Sequence, residues 1–372
     1  MSIDAIALTR VLISFNTVSP PGQESKCAQY IGKLLEDSGF RVSLHEFESG
    51  RTSLVAHSNA EDGLPICFTG HMDTVPLGKV QWSCDPFLGE LHGDRIYGLG
   101  ASDMKGGIAA IVAAATSVKA TQKKAPITVV LTAGEETGAR GAKFLAESNG
   151  VLGKAGALVV GEPTSNYPLV AHKGALWIEA ATTGVTAHGS MPDLGVNAIY
   201  KAADVVRRLQ EFKFAVPSNA LLGNPTLNVG TICGGMNFNS VPDKAVIGID
   251  IRSIHGQSHD AILADLKSHV GEEAILSKIM DIPGVYTDPA HEWIRQVFDI
   301  MTAVLAERPV PRGVNYFTDA SLLTPAFGNI PTVILGPGEQ QMAHKTDEYC
   351  CISRIQQAVD AYSEIARRWC GI

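Results

Sequence analysis

Apolar positions fall into two patterns along the chain. Ile3, Ile6, Ala7 and Val11 recur at helical spacing, which predicts a helix over residues 3–15. Ser19-Pro20-Pro21-Gly22 breaks it. A second amphipathic helix is expected over 24–39, with Cys27, Ile31, Leu34 and Leu35 inward and Gly39 as its stop. Strand-like runs follow at 41–47, where Val42 and Leu44 share a face, at 53–57 and at 64–68, where Pro65 sits at a strand start. After a turn-rich stretch at 82–97, an alanine-rich helix is expected over 108–119. The β-branched run 127–131 reads as a buried parallel strand, 141–147 as a helix and 157–160 as another buried strand.

These runs share one habit: an extended segment ends in a loop carrying an acid or an imidazole. It occurs at His71, at Asp103, at Glu135 and Glu136, and at Glu162. Alternating strands and helices imply an α/β fold with a mixed, mostly parallel sheet flanked by helices. Functional groups in such sheets collect beyond the carboxyl ends of the strands. Near Gly174 the pattern changes. An alternating strand at 176–182, a helix at 197–212, strands at 226–233 and 245–251, a helix at 258–270 and a strand at 274–282 follow in β-α-β-β-α-β order. The expected organisation is a discontinuous catalytic domain, 1–174 with 289–372, interrupted by an inserted α+β domain over 175–288. The first pattern resumes with a helix at 292–307, a short extended piece at 314–317, a buried strand at 331–335 and a closing helix at 352–369.

Composition narrows the function. The 372 residues are 45% hydrophobic and 18% charged, an ordinary globular balance. With 30 basic and 38 acidic residues the net charge is −8, and basic residues gather no further than pairs such as Lys123-Lys124. A nucleic-acid partner is not expected. The 7 cysteines are odd in number and irregularly spaced, which argues against a disulfide framework and a thiolate zinc site. The first residues lack the pattern of a secretory signal, and the longest apolar run, 106–115, is too short for a bilayer span of about 20 residues. A soluble, cytoplasmic protein with no membrane partner is expected.

Clustered carboxylates with two histidines point to a metal centre, and a thiolate-free oxygen and imidazole set suits catalytic Zn²⁺, Co²⁺ or Mn²⁺. His71 and Asp73, two residues apart, can lie on one side of an extended backbone, and a carboxylate beside a histidine can fix its tautomer. A plain turn pair is the other reading. Glu135-Glu136 in a turn can divide labour, one carboxylate on a metal and one free to accept a proton; the alternative is a solvated helix start. Ser102-Asp103 could cap the helix near Lys105, Glu162 could be a turn residue, and His344 a surface histidine.

Gly70-His71-Met72-Asp73-Thr74-Val75-Pro76, Gly98-x-Gly-x-x-Asp103-Met104-Lys105-Gly106-Gly107, Glu135-Glu136-x-Gly138 and Gly161-Glu162-Pro163 together resemble the dinuclear-zinc aminoacylase/carboxypeptidase family. That family includes acetylornithine deacetylase and succinyl-diaminopimelate desuccinylase. The resemblance covers nearly the whole chain. It implies two divalent ions, Zn²⁺ first, with Co²⁺ or Mn²⁺ as alternatives. His71 and Glu162 would hold one, Glu136 and His344 the other, and Asp103 would bridge both. Glu135 would be the general base and Asp73 the orienter of His71. The Asp103-Met104 peptide is expected to be cis. The inserted domain resembles the family's lid and dimerisation domain. His188 would reach a partner subunit's site and stabilise the oxyanion, while Asn239 and Arg252 would contact a small-molecule substrate. For Arg252 an ion pair with Asp250 or Asp243 is the alternative. The loop Tyr316-Phe317-Thr318-Asp319-Ala320-Ser321 is closer to deacetylase and aminoacylase members than to desuccinylases. The expected activity is removal of an acyl group from an N-acyl-amino acid, within amino-acid metabolism such as arginine biosynthesis. A dipeptidase, carboxypeptidase or desuccinylase with the same machinery, or a non-catalytic binding protein on the same fold, are the alternatives.

Overall fold

The computed structural model describes residues 3–59, 63–119 and 125–372. Lys123, Lys124 and the first two residues lie outside these. In chain order the principal strands are β1 (Arg41–Glu48), β2 (Arg51–His57), β3 (Ile66–His71), β4 (Ile127–Thr132), β5 (Ala157–Val160), β6 (Gly174–Thr183), β7 (Thr226–Gly234), β8 (Lys244–Ser253), β9 (Ile275–Ile282) and β10 (Thr332–Ile334). The chain divides into two compact units. One comprises Met1–Ala171, Tyr286–Arg312 and Thr318–Ile372; the other comprises His172–Val285 and Gly313–Phe317.

The first unit holds a six-stranded sheet in the order β1-β2-β4-β3-β5-β10. β4, β3, β5 and β10 run parallel, while β1 and β2 form an antiparallel margin. β3, β4 and β5 are buried along their whole length, as central parallel strands covered on both faces are. Helix Gly106–Lys119 packs between this sheet and the closing helix Ile352–Cys370, its Ile108, Ile111 and Val112 fully buried. Each such side chain contributes about 1.5–3 kcal/mol on burial. β3 lies between β4 and β5, so the carboxyl ends of three adjacent parallel strands open onto one place.

Three expectations need correction. The first helix, Ala5–Ser14, buries Ala5, Leu8, Thr9, Leu12 and Ile13, not the stripe through Ile3, Ile6, Ala7 and Val11. Both stripes have helical spacing, and the one with the bulkier leucines took the core. The strand anticipated at 64–68 starts at Ile66 and runs through His71, leaving Leu64 exposed. A short helix, Ala320–Ala326, also occurs where no helix was expected, and Pro325 in its last turn hid it.

The second unit is a four-stranded antiparallel sheet, β7-β8-β6-β9, with helices Ala198–Glu211 and His259–Val270 contributing to one core. Leu176, Ile178, Ala180, Ile247, Ile249 and Ile251 from the strands meet Ala202, Val205, Leu209, Ile262 and Leu266 from the helices. Strict alternation along β8 produces this one-sided burial. Asn197 caps the first helix by accepting from the backbone N–H groups of Ile199 and Tyr200.

Arg51, at the start of β2, is fully buried in the first unit. Its Nε donates to both oxygens of Glu24 at 3.1 and 2.9 Å, and its Nη2 donates to Ser19 Oγ at 3.0 Å. Burial pushes the Glu24 carboxyl up and the Arg51 hydrogen bond only partly offsets this. Arg51→Met therefore strands a buried acid and is expected to cost about 3–5 kcal/mol by urea unfolding at neutral pH. A raised folded-state pKa means that the folded protein binds the extra proton, so the deficit should shrink as pH falls towards 5. An equal deficit at both pH values would show that the lost packing, not the stranded charge, is responsible.

Candidate metal centre

Each loop at the sheet's carboxyl edge is locked by local chemistry. His71 closes β3, and its Nδ1 lies 3.0 Å from the backbone carbonyl of Asp73. A carbonyl only accepts, so Nδ1 carries a proton, which leaves Nε2 as the nitrogen that could offer a lone pair to a cation. The Asp73 carboxylate stands 3.6 Å from the same nitrogen. Its oxygens are used elsewhere: Oδ1 accepts from the N–H groups of Gly134 and Glu135 at 2.9 and 3.0 Å, and Oδ2 from Glu136 at 3.1 Å. Asp73 thus grips the turn after β4 as much as it faces the histidine. That turn closes on itself, Gly138 and Ala139 both donating back to the Glu135 carbonyl, but it does not start the helix: Ala139 is left-handed, with φ 55°, and the helix begins only at Arg140.

Asp103 follows Gly100, which has φ 82°. The Asp103-Met104 peptide is cis, as expected. Ser102 does not cap the next helix; its hydroxyl donates to the Tyr349 carbonyl at 2.6 Å and accepts from the Glu339 N–H at 2.9 Å. Gly107, at the start of that helix, lies so close to the loop after β5 that a Cβ there would sit 2.3 Å from the Gly161 carbonyl oxygen. Only glycine permits this approach, which brings Asp103 towards Glu162.

His71, Asp103 and Glu162 converge, as do Asp103, Glu136 and His344; within each group the ligand atoms lie within 4.8 Å of one another. His71 Nε2 is 2.9 Å from Asp103 Oδ1 and 3.9 Å from Glu162 Oε1. His344 Nε2 is 3.5 Å from Asp103 Oδ2 and 3.1 Å from Glu136 Oε2. One carboxylate therefore turns a different oxygen to each group. His344 has backbone φ 61°, a left-handed conformation that a non-glycine residue adopts at a cost. Its side chain remains 55% exposed while His71 is sealed, so the second group faces solvent.

The electrostatics fit divalent cations. Burial, with repulsion among the acids, pushes Glu135 and Glu162 well above the ordinary carboxyl range and raises Glu136. Contact with Glu136 lifts His344 to about 9. Two imidazoles and three carboxylates without a thiolate match the ligand preferences of Zn²⁺, Co²⁺ and Mn²⁺. A cation at each group would relieve this carboxylate repulsion.

The remaining expected residues belong to the second unit, and two acids were missed. His188, Asn239 and Arg252 belong to the second unit. His188 is exposed, its Nδ1 2.8 Å from Ser190 Oγ, on a loop whose Gly189 N–H donates to the Asn239 carbonyl. Arg252 makes the alternative ion pair, Nε to Asp250 at 3.1 Å. Sequence reasoning missed two buried acids. Asp319 shares a hydrogen bond with Thr132 through Oδ2, its Oδ1 has no hydrogen-bond partner, and burial raises it to about 6. Glu348 accepts three backbone N–H groups around Asp103. Nothing in one sequence separates either from ordinary loop acids.

A Ser–His–Asp chain also occurs in the second unit: Ser253 Oγ is 2.7 Å from His259 Nε2, and His259 Nδ1 is 2.6 Å from Asp281 Oδ1. The order is that of a hydrolytic triad. The serine, however, is only 1% exposed, so no carbonyl can reach it. The chain fastens β8 and β9 to the start of helix His259–Val270.

Residues 67–368 match the model for peptidase family M20/M25/M40. The chain belongs to this family. An acetylornithine deacetylase from Vibrio atlanticus is 31% identical over 364 residues, covering 93% of this chain and 92% of its own length. The crystal structure of an M20 family metallo-carboxypeptidase from Sulfolobus solfataricus superposes with a TM-score of 0.83 at 18% identity, over 99% of this chain and 100% of that one. A dinuclear metal-binding M20 peptidase from Bacillus subtilis has a TM-score of 0.73 at 17% identity, covering 97% and 96%. The family expected from the motifs and the expected α/β class both hold. Among the described residues no helix is long and apolar enough to cross a membrane.

Proposed function

We propose that this protein is a dinuclear, metal-dependent amidohydrolase that removes the acyl group from an N-acyl-amino acid, of the acetylornithine deacetylase type. The observation that carries the reading is the sharing of Asp103 between the two groups, with the buried Glu135 attracted by His71 and repelled by Glu162 and Glu136. His71 and Glu162 would hold one ion, Glu136 and His344 the other, and Asp103 both; Zn²⁺ is the first choice, with Co²⁺ or Mn²⁺ as alternatives. When bound, the ions supply Lewis acidity that polarises an amide carbonyl and lowers the pKa of a water. The chain's own residues carry the proton. Glu135 takes it from the water as the new C–O bond forms and returns it to the nitrogen as the C–N bond breaks, leaving a carboxylate and an amine. Asp73 keeps Glu135 in place through the backbone N–H groups of its turn.

In the second unit, Asn239 and Arg252 are the proposed substrate contacts, a guanidinium suiting a substrate carboxylate. His188 is the proposed oxyanion donor to a partner's site in a homodimer. The exposed side chains of Met191, Leu194, Tyr200, Met236 and Phe238, in the same unit as His188, support such an interface. The cytosol suits the free cysteines.

The test is a panel of acetyl-, succinyl- and formyl-amino acids and dipeptides, each with Zn²⁺, Co²⁺ or Mn²⁺, run beside sedimentation of the purified protein. Turnover of an acylated amino acid by a dimer is expected. Hydrolysis of dipeptides alone would overturn the deacylase reading, and a fully active monomer would remove the role given to His188.

A further inference from the structure

We propose that Glu348 is a positioning residue of the metal centre, a buried clamp that sets the orientation of Asp103; this rests on the function proposed above. Glu348 is 1% exposed. Its Oε1 accepts from the N–H groups of Ser102 and Asp103 at 2.8 and 2.9 Å, and its Oε2 from Gly100 at 2.8 Å. Its own carbonyl accepts from the Gly98 N–H at 2.9 Å. A single residue thus holds the backbone at four points between residues 98 and 103.

The clamp sits on the chain segment that carries His344, four residues earlier. It joins the loop of the shared ligand to the loop of the most exposed ligand. The segment before His344 presses on the same loop, because Gly338 leaves no room for a Cβ, which would fall 2.1 Å from the Ser102 carbonyl oxygen. The geometry is demanding: Asp103 Oδ1 must face His71 while Oδ2 faces His344. Sites of this kind tolerate displacements of about 0.5 Å. Freed of its three N–H anchors, the Asp103 backbone can turn, and one carboxylate then no longer serves two positions. Asp73 grips the turn of Glu135 and Glu136 in the same way, through three backbone N–H groups. Two buried acids, neither assigned as a ligand, therefore fix the shared ligand Asp103, the ligand Glu136 and the base Glu135 by their backbones.

The test uses Glu348→Ala and Glu348→Gln in the full chain. Glutamine keeps one acceptor oxygen but turns an NH₂ towards an N–H, so it loses part of the clamp and stands between wild type and alanine. Co²⁺ titration followed by visible absorption reports affinity and ligand geometry, and steady-state kinetics on the best acylated amino acid report kcat and KM. Co²⁺ affinity at one position should fall about 10–100-fold in the alanine variant, with an altered visible spectrum and a similar fall in kcat. KM should change by less than about 3-fold. Variants that fold, bind two Co²⁺ ions with the wild-type spectrum and keep wild-type kcat would overturn the inference. Should alanine fail to fold, glutamine carries the same reading. A wild type that binds two Co²⁺ ions but cleaves no acylated amino acid would overturn the proposed function alone, since the spectrum still judges the clamp.

Discussion

Glu135→Gln is expected to lower kcat by about 10²–10⁴-fold, the range for removing a general base, while both metal positions stay filled. Glutamine has the shape of glutamate but cannot take a proton at neutral pH. Glu135 belongs to neither ligand group, so metal content should not change. Its backbone N–H is anchored on Asp73, so the turn and Glu136 should keep their places. Steady-state kinetics together with elemental analysis separate the two roles of the Glu-Glu pair. A variant that loses metal along with activity would make Glu135 a ligand, and unchanged turnover would end its role as base.

Asp103→Ala is expected to empty both positions, whereas His344→Ala should empty one. The asymmetry follows from geometry: Asp103 offers Oδ1 to one group and Oδ2 to the other, and His344 belongs to a single group. Elemental analysis after dialysis should give about two, one and fewer than one ion per chain for wild type, His344→Ala and Asp103→Ala, as follows from two sites and a shared bridge. Without the ions the buried acids repel one another, so a chelator should lower the melting temperature of wild type and have little further effect on Asp103→Ala. Equal metal loss in the two variants would contradict the bridge.

Much of the first unit was legible because its strands are extreme cases. β4 and β5 are dominated by apolar and β-branched residues, each followed by an acidic loop, and a parallel sheet buried on both faces is the architecture that produces such runs. The alternation along β6 and β8 exposed the second unit in the same way. The first helix misled because it is apolar on more than one side, so spacing alone could not choose its buried face. In the centre, the residues of the two converging groups could be named because they recur after strands and match a family signature. The clamp of Glu348 could not, because its partners are backbone N–H groups, and these carry no side-chain identity for a sequence to reveal. Asp319 was hidden for a different reason: its burial depends on a helix that Pro325 disguised.

The spacing of the ligands along the chain has a consequence for synthesis. His71, Asp103 and Glu162 are all present once residue 162 has been made, but the group of Asp103, Glu136 and His344 waits for residue 344, after the whole of His172–Val285 has been made. Domains fold as units, and the unit that holds these donors is completed only by Thr318–Ile372. The sealed position has its full set of donors early in translation, and the solvent-facing one only near its end. A nascent chain therefore carries all three donors of the sealed group for much of its time on the ribosome, but gains the Glu348 anchors of Asp103 and the last donor of the second group only when the segment bearing His344 and Glu348 has emerged.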